Sequence, residues 1–170
     1  MTQHQKYRII RKYEGCELRE YLPCVFADVI VAADRDSAQN QGFRPLFEYI
    51  SQNKIAMTAP VLQEEIANHQ WRISFVMPAG MEISELPIPT NSNITLRHMD
   101  AHYAAAIKFA GKTTEKTLEP YENLLRQSIE TIGLEVIGSV RIARFDPPWK
   151  LPMSRHNEII IPVKVDTDSH

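Results

Sequence analysis

The sequence predicts an α+β fold: a distorted antiparallel β-barrel or sheet with two flanking helices. Three observations carry that reading. Runs that alternate apolar and polar residues, or that are rich in β-branched residues, recur along the chain, as in Trp71-Arg72-Ile73-Ser74-Phe75-Val76-Met77. Two segments change to the three-and-four spacing of an amphipathic helix. The order strands, helix, strands then occurs twice, a duplication of element order and not of residue identity. One domain over residues 1–170, with pseudo-repeats at about 7–77 and 94–165, follows from that order.

Residues 7–13 and 16–21 read as strands, with Gly15 marking the turn between them. Leu22-Pro23 separates these from the β-branched run at 24–31. Asp34 and Asp36-Ser37 supply helix-capping chemistry, and Ala38, Phe43, Leu46, Phe47 and Ile50 set a helix at 36–51. Pro45 falls inside it and is expected to kink or weaken it. Strands follow at about 61–66 and 70–77, then a proline-rich loop over 78–93. In the second half, strands are expected at 94–99 and 102–109. A helix at about 114–132 carries the stripe Leu118, Tyr121, Leu125, Ile129 and Ile132 and stops at Gly133. Strands at 135–145 and 156–165 complete the chain.

Composition removes several function classes. With 19 basic and 21 acidic residues scattered along the chain, the net charge is −2, and no basic stripe marks a nucleic-acid face. No apolar run approaches the roughly 20 residues that span a bilayer. The polar start Met1–Lys6, with His4 expected to lie in a frayed tail, has no apolar segment after it, so a cytoplasmic protein is expected. Cys16 and Cys24 make no disulfide framework and suit reduced thiols, although both lie where a hairpin would bring them near each other. His98 and His102 are four apart, with an expected turn at Asp100-Ala101 that keeps them from converging on a metal.

Two segments stand out chemically. Lys54-Ile55-Ala56-Met57-Thr58-Ala59-Pro60-Val61 carries no charge after Lys54 and reads first as a buried crossover from helix to sheet. Phe145-Asp146-Pro147-Pro148-Trp149-Lys150-Leu151-Pro152-Met153 precedes the last strand and mixes aromatic, apolar and cationic groups. Neither contains a nucleophile with its base or a phosphate loop, and Ser74 and Ser139 lack the glycines of a nucleophile elbow. A binding protein for a flat, apolar ligand is expected, and not an enzyme.

A family resemblance runs through these same residues. Glu17-Leu18-Arg19-Glu20-Tyr21 with Pro23, Tyr49-Ile50 leading into Lys54–Val61, Phe75-Val76-Met77-Pro78, and the run from Phe145-Asp146-Pro147-Pro148 to Arg155-His156-Asn157-Glu158-Ile159 together resemble the SOUL heme-binding proteins over residues 7–163. The resemblance implies a distorted β-barrel with two helices, similar to the effector-binding domains of multidrug-responsive regulators. It implies reversible, non-covalent binding of heme or a related tetrapyrrole, in the role of buffer, carrier or chaperone. The ligand would lie in a shallow groove between the first helix and the loop before the last strand. Mapped onto this chain, that implies Phe43, Arg44 and Phe47 on the helix and Trp149, Lys150 and Met153 on the loop. Where some members carry a candidate iron-ligating histidine, this chain has Glu20. No metal ligand is assigned, and His156 is the one histidine beside the expected groove.

The expected chemistry is burial of porphyrin faces, at about 25 cal/mol per Å², with Lys150, Arg44 and Arg155 pairing the propionates. Phe43, Leu46 and Phe47 at helical spacing suit an ordinary core equally well. A module that binds another hydrophobic effector is the alternative reading, an enzyme that removes the metal from a tetrapyrrole with Glu20 shuttling pyrrole protons is a third, and protein partners are left open.

Overall fold

The computed structural model describes residues 2–147 and 150–166. Its strands are β1 (Gln3–His4), β2 (Tyr7–Lys12), β3 (Glu17–Tyr21), β4 (Cys24–Ala32), β5 (Thr58–Ala67), β6 (Gln70–Val76), β7 (Thr95–Met99), β8 (His102–Ala110), β9 (Glu135–Val136), β10 (Arg141–Arg144) and β11 (His156–Lys164). Helix α1 (Arg35–Gln52) follows β4, and α2 (Glu115–Ile132) follows β8. The fold is α+β, as expected. The strands form one curled half-barrel in the order β2-β3-β8-β11-β10-β5-β6-β4-β7, with β1 added beside β5 and β9 beside β11. All pairings are antiparallel except β1 with β5. Duplication of the two halves remains an expectation drawn from element order.

Local chemistry explains the helix ends. The Asp34 carboxylate accepts the Ser37 N–H at 2.8 Å and satisfies a donor that the first turn of α1 leaves open. Thr114 does the same for α2 through the Thr117 N–H. Gly133, at φ 88°, ends α2 in the left-handed conformation and donates its N–H to Ile129 O at 3.0 Å. Helix α1 runs unbroken through Pro45, because apolar burial on one face outweighs the single missing hydrogen bond.

Three sequence expectations are corrected. The 135–145 strand is two pieces, β9 and β10, since the chain turns at Gly138, where a Cβ would stand 3.0 Å from the Pro162 ring. Lys54–Val61 is a crossover only to Met57. From Thr58 it is strand β5, and its ladder with β6 slips between Thr58 and Val61, where Pro60 offers no N–H. The segment around His4, expected to fray, pairs with Thr58 and Ala59, and Gln5 N–H bonds Ala59 O at 2.8 Å. A two-residue strand carries no periodic signal.

Strand alternation divides the core into two faces. On one face, Val25, Ala27, Val29, Ile73 and Phe75 pack against Leu46 and Ile50 of α1. On the same face of the other half, Ala105, Ile142, Ile159 and Ile161 pack against Leu118, Leu125 and Ile129 of α2. The residues between them in sequence, Phe26, Leu62, Val76, Ala104, Ala143 and Ile160, form a third cluster with no helix over it. These residues are buried by the curl of the sheet itself. Between the two helix-covered clusters lies a polar seam across the central β10–β5 pair, made by buried Gln63 and Arg144.

Candidate functional site

Phe43 and Phe47 lie one turn apart on α1, and their rings stack at 5.6 Å with 14° between planes. Phe43 also meets Phe75 edge-on at 5.2 Å, which fixes it from the core side. Leu46 is fully buried, whereas Phe47 is 48 % exposed. The apolar stripe therefore splits: Leu46 is core, and the two phenylalanines wall a groove. That groove has a volume of about 270 Å³ and runs between α1 and the central strands. Met57 and Val61 from the β5 side, with Asp146 and Pro147 from the loop after β10, complete it. Of the residues expected from the sequence to form a site, Phe43 and Phe47 line this hollow.

Arg144 lies in the floor, opposite Val61 in the ladder. Sequence reasoning missed it, because it reads as an alternating strand position. It is 7 % exposed, donating Nη1–H to Gln63 Oε1 at 2.6 Å and Nε–H to Thr113 Oγ1 at 2.9 Å. Gln63 in turn donates to Arg35 O at 2.9 Å, tying the seam to the start of α1. Burial pushes the Arg144 pKa down to about 10, so the guanidinium stays charged at neutral pH.

The other expected residues are dispersed. Arg44 is exposed and does not line the groove, since it falls on the outer side of α1. Lys150 pairs with Asp146 at 2.9 Å, so its charge reaches the rim through a carboxylate that also accepts the His156 N–H. Burial works against the Asp146 charge, but these two donors more than offset it and hold its pKa below the usual range. Met153 is 89 % exposed in the turn Pro152–Ser154, away from the groove. Arg155 donates to Lys150 O at 2.8 Å and borders a hollow beside Lys108 and Phe109. Trp149 lies outside the described residues.

His156 belongs to a second cavity, of about 380 Å³, on the enclosed face. Tyr7, Tyr21, Phe145 and Glu158 also line it. The His156 Nε2 is 3.2 Å from Glu158 Oε2, and its ring meets Phe145 edge-on at 4.6 Å. Beside this cavity the buried Arg19 guanidinium grips Glu158 through two bonds, 2.5 and 3.1 Å, and donates to the Tyr21 hydroxyl at 2.9 Å. Glu20 points to the other face of β3, where it pairs with Arg8 at the sheet edge, far from α1. His98 and His102 diverge, His98 to Asp100 and His102 to Arg141. Among the described residues no three histidine, cysteine or acidic side chains gather as a metal site.

The SOUL heme-binding protein family model matches residues 2–162. The chain belongs to the SOUL family. A search of curated proteins found no match. Among solved structures, the C-terminal domain of EcmrR is similar at a TM-score of 0.71 and 15 % identity, covering 94 % of the SOUL chain and 99 % of that one. A hydrolase from Listeria innocua is similar at a TM-score of 0.66 and 15 % identity, covering 91 % and 94 %. SAV2435, solved bound to tetraphenylphosphonium, reaches 0.51 at 9 % identity, covering 88 % and 93 %. At these identities the likeness is one of fold. No helix of the described residues is long and apolar enough to cross a membrane.

Proposed function

We propose that this SOUL-family chain binds heme or a related tetrapyrrole reversibly in the α1 groove and serves as a buffer, carrier or chaperone, without catalysing a reaction. The observation that carries this is the stacked Phe43–Phe47 step beside a water-accessible apolar hollow, in a chain of a heme-binding family. A porphyrin edge in a groove of this size keeps much of its ring exposed, which suits a ligand that is passed on. Excluding water from the flat face supplies the affinity, at about 25 cal/mol for each Å² removed. Phe43, Phe47 and Met57 would take the ring, and Arg144 and Lys150 are the cations near its acid groups. The iron chemistry belongs to the heme, and no residue is assigned to ligate it. Cys16 and Cys24 are both free, which suits a reducing cytoplasm, and the balanced charge argues against a nucleic-acid partner.

Hemin titrated into the protein should shift its Soret band and saturate near one equivalent, and Phe43→Ala and Phe47→Ala should each weaken binding. A spectrum that stays that of free hemin at micromolar protein sinks the reading. Stabilisation by a hydrophobic cation such as tetraphenylphosphonium, with none by porphyrins, would favour the effector-module alternative, for which the aromatic-lined second cavity is the natural seat.

A further inference from the structure

Two arginines are buried in the described structure, and they are built differently. Arg19 faces Glu158 and Glu17. Arg144 has two neutral acceptors, Gln63 and Thr113, and no carboxylate among the described residues lies within ion-pair distance of it. Two bonds leave three of the five guanidinium N–H groups without an acceptor among the described residues. Of the charges acting on it, Asp36, exposed in the first turn of α1, attracts it most, and Arg35 and Arg155 repel it. A buried cation without an ion-pair partner destabilises a fold, and hydrophobic replacement of buried charged groups is commonly neutral or stabilising. This cation also lines the floor of a groove walled by two aromatic rings. Asp146 at the rim does not fill the role, since it is held by Lys150 and the His156 N–H.

We infer that Arg144 is a carboxylate anchor. The groove takes an aromatic or macrocyclic acid with one acid group directed down onto Arg144 and its ring against Phe43 and Phe47. This rests on the groove being the ligand site and deepens that reading: a tetrapyrrole would bind with a propionate inward, and its esters would be discriminated against. Forked charge-assisted donors suit a carboxylate and leave an ester poorly matched. The buried floor makes the preference larger than a surface cation gives.

The test compares acid with neutral analogue in wild type, Arg144→Met and Arg144→Lys, all confirmed folded by circular dichroism. Two probe pairs are used: hemin against hemin dimethyl ester, and fluorescent 1-pyrenebutyrate against 1-pyrenebutanol. Wild type should prefer the acid by about tenfold or more, Arg144→Lys should keep part of that, and Arg144→Met should bring the two Kd values within about threefold. Ring binding itself should survive in Arg144→Met, whose melting temperature should equal or exceed that of wild type. A merely structural arginine would lower both affinities together and leave their ratio unchanged, which overturns the proposal. So does a wild type that shows no acid preference with either pair. If only the pyrene pair shows the Arg144-dependent preference, the anchor stands and the tetrapyrrole reading falls. Should Arg144→Met not fold, the same ratio is read from Arg144→Gln.

Discussion

The Arg19 guanidinium and the Glu158 carboxylate, 139 residues apart in sequence, meet through two bonds of 2.5 and 3.1 Å, and both side chains are buried. They close the β3–β8–β11 part of the sheet on its enclosed face. Removing one partner leaves the other buried and charged. Arg19→Met should therefore cost about 3–5 kcal/mol, whereas Arg19→Met with Glu158→Leu should recover most of that loss. Urea unfolding of the single and double variants checks it. A double variant no more stable than the single would show that the pair is not the source of the cost.

Gly42 sits where α1 crosses β6, and a Cβ there would overlap the Ile73 side chain. Alanine improves helix propensity by about 1 kcal/mol, but overpacking at a buried crossing costs about 1–3 kcal/mol. Gly42→Ala should thus lower the melting temperature despite the better helix former. A rise would mean that the crossing relaxes freely.

Neighbouring residues of α1 should separate stability from binding. Leu46 is fully buried, and Leu46→Ala should cost about 2–5 kcal/mol by chemical denaturation. Phe47 is 48 % exposed, and Phe47→Ala should cost under about 1 kcal/mol while weakening hemin binding. Equal stability losses would place Phe47 in the core and not on a groove wall.

His102 should make the fold acid-sensitive. Burial lowers its pKa from the ordinary 6.5, the adjacent Arg141 adds to this, and the bond to Asp100 O opposes it. Arg141 donates to its Nε2 at 2.9 Å, which requires neutral imidazole. Above 6.5 neither the folded nor the unfolded chain protonates it. Below 6.5 the unfolded chain binds the proton first, so stability falls until the pH passes the lower folded value. The slope is at most about 1.4 kcal/mol per pH unit for one group. Melting temperatures between pH 7.5 and 5 should fall less steeply in His102→Gln than in wild type.

The helices were legible because their apolar spacing and capping residues are local. The Phe43–Phe47 wall was legible for the same reason, while its separation from Leu46 was not, since one stripe serves core and groove alike. Arg44 and Met153 share their segments with groove residues yet point elsewhere, because side-chain direction depends on helix phase and on how the loop folds back.

By itself the sequence determined the α+β class, the two helices, most strand positions and the family motifs, all consequences of periodicity and short-range backbone chemistry. Tertiary structure alone decided that β10 and β5 meet at the centre of the sheet, and so put Arg144 under the groove with no carboxylate partner among the described residues. Burial and charge compensation depend on which distant strands become neighbours, and no local pattern in a four-residue strand records that.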